Sequence, residues 1–301
     1  MTGIPFSKGH GTENDFVVLP DPDGVLDLTD ARVAALCDRR RGLGADGVLR
    51  VVRWAVLKDD AFPAEPGVEW FMDYRNADGS VAEMCGNGVR VYAHWLDRAG
   101  WLTDGGTLAL GTRAGIRQVR LSADGVSVDM GPARVGPAST ADVDGRAFTG
   151  TAVDVGNPHL ACVTDVALDT LDLTAEPGHD RTLFPHGVNV EFVSPVSEGA
   201  QVSMRVHERG VGETRSCGTG TVAAVVAALH ATGRHTGTVS VHTPGGRLRV
   251  TVEPHTTLLH GPAVLVASGE LCRSWWESAG ETRSGNLERQ AHVDVAACFP
   301  R

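Results

Sequence analysis

Glu83-Met84-Cys85-Gly86-Asn87-Gly88 and Arg215-Ser216-Cys217-Gly218-Thr219-Gly220 are nearly one phrase written twice, with the cysteines 132 positions apart. Each phrase opens a stretch of helical length. Cys85 to Ala99 and Cys217 to Thr232 are each followed by a glycine, Gly100 and Gly233, suited to the left-handed residue that ends a helix. The second stretch, with Val-Ala-Ala-Val-Val-Ala-Ala-Leu over 222–229, is apolar nearly all round and predicts a helix enclosed on every side. The first places Val89, Tyr92, Ala93 and Leu96 at i, i+3, i+4 and i+7 and predicts a mainly buried helix.

Working outward, the match persists. GTLALGTRAGIRQVRL (106–121) lies over GTVSVHTPGGRLRVTV (237–252) at an offset of 131, and Gly131-Pro132-Ala133 over Gly261-Pro262-Ala263 at 130. Asn14 and Asn157 fit more loosely at 143, as do Gly47 and Asn189 at 142, so the first half carries extra residues, assigned to 54–66. The chain reads as an internal duplication. Short runs rich in β-branched and aromatic residues, at 16–20, 47–52, 68–74, 188–194 and 202–208, predict strands around each helix. This is an α+β organisation of two pseudo-symmetric halves, 1–131 and 132–271, with a C-terminal tail over 272–301.

The 301 residues, 42% of them apolar, suffice for two cores, and a formal charge of −10 disfavours binding to a phosphate backbone. Nucleic acid is not an expected partner. The amino terminus lacks an apolar signal region and the longest apolar stretch, 222–229, is too short to span a bilayer, so a cytoplasmic protein without membrane attachment is expected. The six cysteines form no CxxC pair, and His10, His94, His186 and His207 form no HExxH or grouped ligand set. No metal site is expected. The Arg39-Arg40-Arg41 run reads as solvated surface.

A helix start exposes unpaired N–H groups and a partial positive charge, so a thiol there ionises more easily and a carboxylate can dock on the same amides. One such site suggests a nucleophile or a redox thiol. Two, from matching halves, suggest a substrate held between thiols on opposite faces, which is the arrangement for inverting a stereocentre. One thiolate removes a Cα proton and the opposite thiol delivers another, while the amides spread the developing charge over the adjacent carboxylate. Such chemistry requires no cofactor. The competing readings are packed small residues and a redox disulfide.

FSKGHGTENDFVV, RGLGADGVL, RNADGSVAEMCGNGVR, GNPH, GVNVEFV and VHERGVGETRSCGTGTVAA, with HGPAVLVASGEL near the end, resemble the diaminopimelate epimerase family in its order. The resemblance implies two similar halves, each a curled, mostly antiparallel sheet around a central helix, with the site in the cleft between them. It implies a pyridoxal-phosphate-independent isomerase that interconverts LL- and meso-diaminopimelate in lysine and peptidoglycan precursor synthesis, and a tendency to form homodimers. Cys85 and Cys217 match the two catalytic positions. The amides of Gly86, Asn87, Gly218 and Thr219 match those that receive the reacting carboxylate. Asn14, Asn76, Asn157, Asn189, Glu208 and Arg209 match the set that reads the rest of the substrate. His159 and Glu208 are candidates to relay protons to the thiols.

Diaminopimelate carries two carboxylates and two ammonium groups, so Arg209 with the asparagines suits the distal carboxylate and Glu208 an ammonium. The chain departs from the family where Gly11-Thr12-Glu13-Asn14-Asp15 stands for the commoner Gly-Leu-Gly-Asn-Asp, placing a charge at Glu13. The alternatives are a cofactor-independent racemase or epimerase of another amino acid and, from a different class, a thiol redox or ligand-binding protein.

Overall fold

A computed structural model describes residues 3–57, 59, 61–102 and 105–280. In chain order the first half contains β1 (Ile4–Gly11), β2 (Asn14–Pro20), α1 (Asp30–Cys37), β3 (Gly47–Arg53), β4 (Trp70–Asn76), α2 (Gly86–Arg98), β5 (Thr107–Gly111), β6 (Arg117–Ser122) and β7 (Gly125–Gly131). The second opens with β8 (Arg134–Val143), β9 (Arg146–Asp154), β10 (Pro158–Val163), β11 (Gly178–His179), β12 (Asn189–Val193), β13 (Gln201–Glu208) and β14 (Gly212–Thr214). It ends with α3 (Gly218–Ala231), β15 (Gly237–Thr243), β16 (Gly246–Val252), β17 (Thr257–Gly261), β18 (Val264–Leu271) and α4 (Arg273–Ala279).

The hydrogen bonding repeats as the sequence does. β1 to β7 pair in succession, and β9, β10, β12, β13, β15, β16 and β17 pair in the same pattern, with β2–β3, β4–β5, β10–β12 and β13–β15 parallel. β7 and β17 then join antiparallel, tying the halves edge to edge. Each Gly-Pro-Ala motif sends the next strand across: β8 pairs with β9 in the second half, and β18 pairs with β1 in the first. The strand 264–271 thus belongs to the first half by its hydrogen bonds, although it lies in the second by sequence.

α2 packs on β1, β2 and β7, and α3 on β10, β12 and β9, and one apolar core runs through both. Both helices end as expected: Gly100 and Gly233 have φ of 71° and 73°, a conformation open to a residue without Cβ. Outside this core, β2 and β3 are covered on their other face by α1 and α4, where Val17, Val48, Leu36 and Trp276 meet. β10 and β12 are covered by a second outer cluster that includes Leu160, Val190 and Phe192. These strands are therefore buried on both faces, which governs the site.

The sequence reading did not include α1, whose start is capped by the Thr29 hydroxyl accepting from Arg32 N–H. The first residues of the tail also have a place. Arg32 lies over the Trp276 ring and donates to its carbonyl, fastening α4 to α1. The rest of the tail, 281–301, lies outside the described residues.

Candidate active site

Cys85 and Cys217 are the N-cap residues of α2 and α3, both with extended backbone, and each sulfur accepts from the N–H three residues on, Gly88 and Gly220, at 3.4 Å. Both thiols are free. The two helix starts touch. A Cβ built on Gly218 would lie 3.3 Å from Gly86 Cα and 3.4 Å from Gly86 N, tighter than side chains usually sit against backbone, so the lack of a side chain at Gly218 eases this approach. Asn87 Nδ2 donates across the junction to the Ser216 carbonyl at 3.1 Å. The amides of Gly86, Asn87, Gly218 and Thr219 occupy the first two positions of their helices, where no intrahelical carbonyl is available.

Around Cys85 the partners are neutral and polar. Its thiol reaches Asn14 Oδ1 at 3.5 Å, which also accepts from Asn87 Nδ2 at 3.3 Å. Asn14 Nδ2 donates to Asp46 Oδ2 at 2.8 Å, and Arg39 bridges Asp46 and Asp15. Arg39 is therefore part of a charged frame holding Asn14, while remaining largely exposed. Lys8 completes it by an ion pair to Asp15.

The turn joining β1 to β2 approaches from the other side. Thr12 and Glu13 both have positive φ, 52° and 64°, as a two-residue hairpin turn of the mirror-image type requires. Thr12 Oγ1 lies 2.7 Å from Ser216 Oγ, and Arg90, wholly buried on α2, donates to Thr12 Oγ1 at 3.2 Å and to the Pro262 carbonyl at 3.2 Å. Glu13 forms an ion pair with Arg215. The charge by which this chain departs from the family pattern thus spans the two halves.

Around Cys217 the partners ionise. Glu208 accepts from the Thr214 hydroxyl and interacts electrostatically with the Cys217 thiol, and burial raises its pKa above the ordinary carboxylate range. His159, with no exposed surface, lies between Glu191 Oε1 at 2.6 Å from Nδ1 and Asn157 Oδ1 at 3.0 Å from Nε2. Asn157 Nδ2 reaches Thr219 Oγ1 at 3.5 Å, and Thr219 Oγ1 lies 3.6 Å from Cys217 Sγ. His159 is thereby linked to the thiol through two intermediates.

Of the remaining sequence candidates, Asn189 accepts from Arg209 N–H at 2.9 Å and donates to the Pro158 carbonyl at 3.3 Å. The Arg209 guanidinium donates to the His186 carbonyl at 3.2 Å. Asn76 ends β4 opposite Gly47 and donates to Ser80 Oγ at 3.0 Å. Glu191, Asp46, Thr12 and Ser216 were not among the sequence candidates.

The thiols themselves depart from expectation. A helix start should favour the thiolate, yet burial dominates: it pushes Cys85 up to about 11 against the Gly88 N–H, and Cys217 well above the ordinary thiol range with help from Glu208 and Glu191. Burial thus opposes the thiolate at both positions. Either becomes a base only when its proton has somewhere to go. Among the described residues no group of three His, Cys, Asp or Glu could hold a metal ion.

Comparison with known proteins agrees with this architecture. A family model described as Diaminopimelate epimerase matches residues 6–136 and 151–266. The chain is 59% identical over 287 residues to a Diaminopimelate epimerase of Rhodococcus jostii (strain RHA1), covering 91% of this chain and 99% of that protein. It is 58% identical over 288 residues to that of Mycolicibacterium smegmatis (strain ATCC 700084 / mc(2)155), covering 91% and 98%. Among solved structures, a phenazine biosynthesis protein of the PhzF family from Bacillus anthracis matches with a TM-score of 0.66 at 16% identity, over 90% of this chain and 99% of that one. A hydroxyproline epimerase from Agrobacterium vitis, with bound trans-4-OH-L-proline, matches with 0.64 at 16%, over 90% and 94%. These two show the fold. With two thiols capping paired helix starts and a family model matched along most of its length, the chain belongs to the diaminopimelate epimerase family.

Proposed function

We infer that the chain interconverts LL- and meso-2,6-diaminopimelate by two-base proton transfer at Cα, as a pyridoxal-phosphate-independent isomerase of lysine and peptidoglycan precursor synthesis. One observation carries the mechanism: Cys85 and Cys217 cap two helices whose first turns abut through Gly86 and Gly218. The near-full-length relatives named for diaminopimelate support the substrate.

A thiolate on one side takes the Cα proton. The electron pair left on carbon delocalises into the adjacent carboxylate, which the amides of Gly86, Asn87, Gly218 and Thr219 receive with the positive ends of both helix dipoles behind them. The opposite thiol returns a proton to the other face. Because burial opposes the thiolate at both positions, one thiol is deprotonated on binding, and the substrate's ammonium favours that form. Glu208, which interacts with Cys217, accepts its proton, and a carboxyl raised by burial is the better proton acceptor for it. His159 acts from behind, through Asn157 and Thr219. Asn14, Asn76, Asn157, Asn189 and Arg209 take the distal carboxylate, and Glu208 faces an ammonium.

In this reading the halves 1–131 and 132–271 each contribute one thiol, and the segment that follows begins with α4, which packs on α1. We place the reaction in the cytoplasm, carried by a homodimer. No helix among the described residues is long and apolar enough to cross a membrane. Sedimentation of the full chain tests the assembly.

The chemistry is tested by following exchange of the Cα proton of LL-diaminopimelate in heavy water, with reductant and no added cofactor. The parent is expected to exchange and epimerise, and Cys85→Ser and Cys217→Ser to lose epimerisation. Faster exchange with a simpler amino acid would replace the substrate. Disulfide formation without any exchange would replace the mechanism with a redox one.

A further inference from the structure

The strand registers of the two halves match, and where they match the chemistry differs. In the first half Phe16 stands opposite Gly47 and Val18 opposite Leu49. In the second, His159 stands opposite Asn189 and Ala161 opposite Glu191. Phe16 therefore corresponds to His159, and Leu49 to Glu191. The helices see the same exchange. A Cβ on Gly88 would meet Leu49 Cδ2 at 3.2 Å and Phe16 Cζ at 3.5 Å, whereas on Gly220 it would meet Glu191 Oε1 at 2.7 Å.

All four side chains have no exposed surface. Phe16 and Leu49 show that hydrocarbon fills this space in the fold. A buried carboxylate and imidazole in the same place carry a desolvation penalty that packing does not require. Glu191 Oε1 lies 2.6 Å from His159 Nδ1, while Glu191 Oε2 is buried without a partner. With His159 Nε2 facing Asn157 Oδ1 at 3.0 Å, the ring is held at both nitrogens, between the carboxyl of Glu191 and the amide of Asn157.

We propose that Glu191 is a positioning residue for one thiol only: it fixes the His159 ring and, through Asn157 and Thr219, sets the protonation of Cys217, while Cys85 has no counterpart. The proposal rests on the two-thiol reading above. The two bases of the site are then chemically unequal despite their matched frames. The ionisable groups facing Glu191 are His159 and Cys162 on β10, Glu208 on β13 and Cys217 on α3, with His207 buried on β13. Burial outweighs the pull of His159 and pushes the Glu191 carboxyl up to about 7.

The test is Glu191→Gln in the full chain, which keeps an acceptor for His159 Nδ1 and removes the charge. Alkylation of each thiol by iodoacetamide is followed against pH by peptide mass, beside deuterium exchange with diaminopimelate. The Cys217 midpoint should fall by about half a pH unit or more, because an anion facing the thiolate is gone, with the Cys85 midpoint unmoved. Turnover should drop about tenfold or more. Glu191→Leu, a copy of Leu49, should fold at least as well by thermal melting and show the same one-sided change. Midpoints that move together, or that both stay put, would overturn the proposal. A one-sided shift in a protein that never exchanges diaminopimelate would overturn only the substrate, and strong exchange without the shift only the role of Glu191.

Discussion

The side-chain amide of Asn87, on the first turn of α2, holds the carbonyl of Ser216, the residue before Cys217, at 3.1 Å. A residue two places after one thiol thus fixes the backbone one place before the other. The spacing between the bases is set by the protein rather than left for the substrate to impose, which is what converts binding into a reactive geometry.

Asn87→Ala should accordingly cost more in turnover than in folding. Removal leaves the Ser216 carbonyl buried and unpaired, a loss of about 1–3 kcal/mol. Urea unfolding reads that loss and deuterium exchange reads the activity. Turnover at the parental level would show that the bridge does not set the gap.

Gly218→Ala introduces a methyl 3.3 Å from Gly86 Cα, a backbone atom that yields only if the helix starts separate. We predict a fall in kcat of about tenfold or more, since reacting atoms must lie within a narrow range of distances. A variant that melts like the parent and turns over like it would refute this.

Glu13→Gly should leave stability within about 0.5 kcal/mol of the parent. The ion pair to Arg215 is largely exposed on both sides and contributes at most about 1 kcal/mol, while a φ of 64° costs a residue with Cβ a similar amount. Melting at low and high salt checks both parts, because only the ion pair is screened.

Asp15→Asn should destabilise in a pH-dependent way. Burial opposes ionisation of Asp15, but Arg39 and Lys8 outweigh it and hold the carboxyl at about 2, below the ordinary 3.8. A carboxyl depressed on folding contributes its full stabilisation above the unfolded value and loses it as pH falls through the folded one. The parent should exceed the variant by about 2 kcal/mol at pH 7, with the gap closing between about pH 4 and pH 2. A constant difference across that range in urea unfolding would contradict the assignment.

Much of this was legible in the chain itself because the helix starts are local signals. A cysteine before Gly-Asn-Gly or Gly-Thr-Gly, an apolar run and a closing glycine locate α2 and α3 to within a residue. The loose early offsets of 142 and 143 also survive, as the paired registers of β2 with β3 and β10 with β12. What eluded reading was set by tertiary covering. In Asn-Val-Glu-Phe-Val a glutamate between apolar residues looks like the wet face of a strand, and only the layers on both sides of β12 make it a core residue. The signal was nonetheless present, since the offset of 142 lays Glu191 over Leu49. The thiol acidity was misjudged for a related reason: a helix terminus is visible in sequence, but the burial that overrides it is not. α1 was missed because Asp-Ala-Arg-Val-Ala-Ala-Leu-Cys is short and weakly patterned, and is held in place by its cap and by Trp276.

The crossing of β18 to the first half has a consequence for any attempt to take the molecule apart. A fragment ending at residue 131 would leave β1 without its outer neighbour, and the remaining fragment would carry β18 with nothing to lie against. Neither piece is a closed unit by its own backbone. Split at that point, the two polypeptides should regain a shared fold only on mixing, each completing the other's open edge.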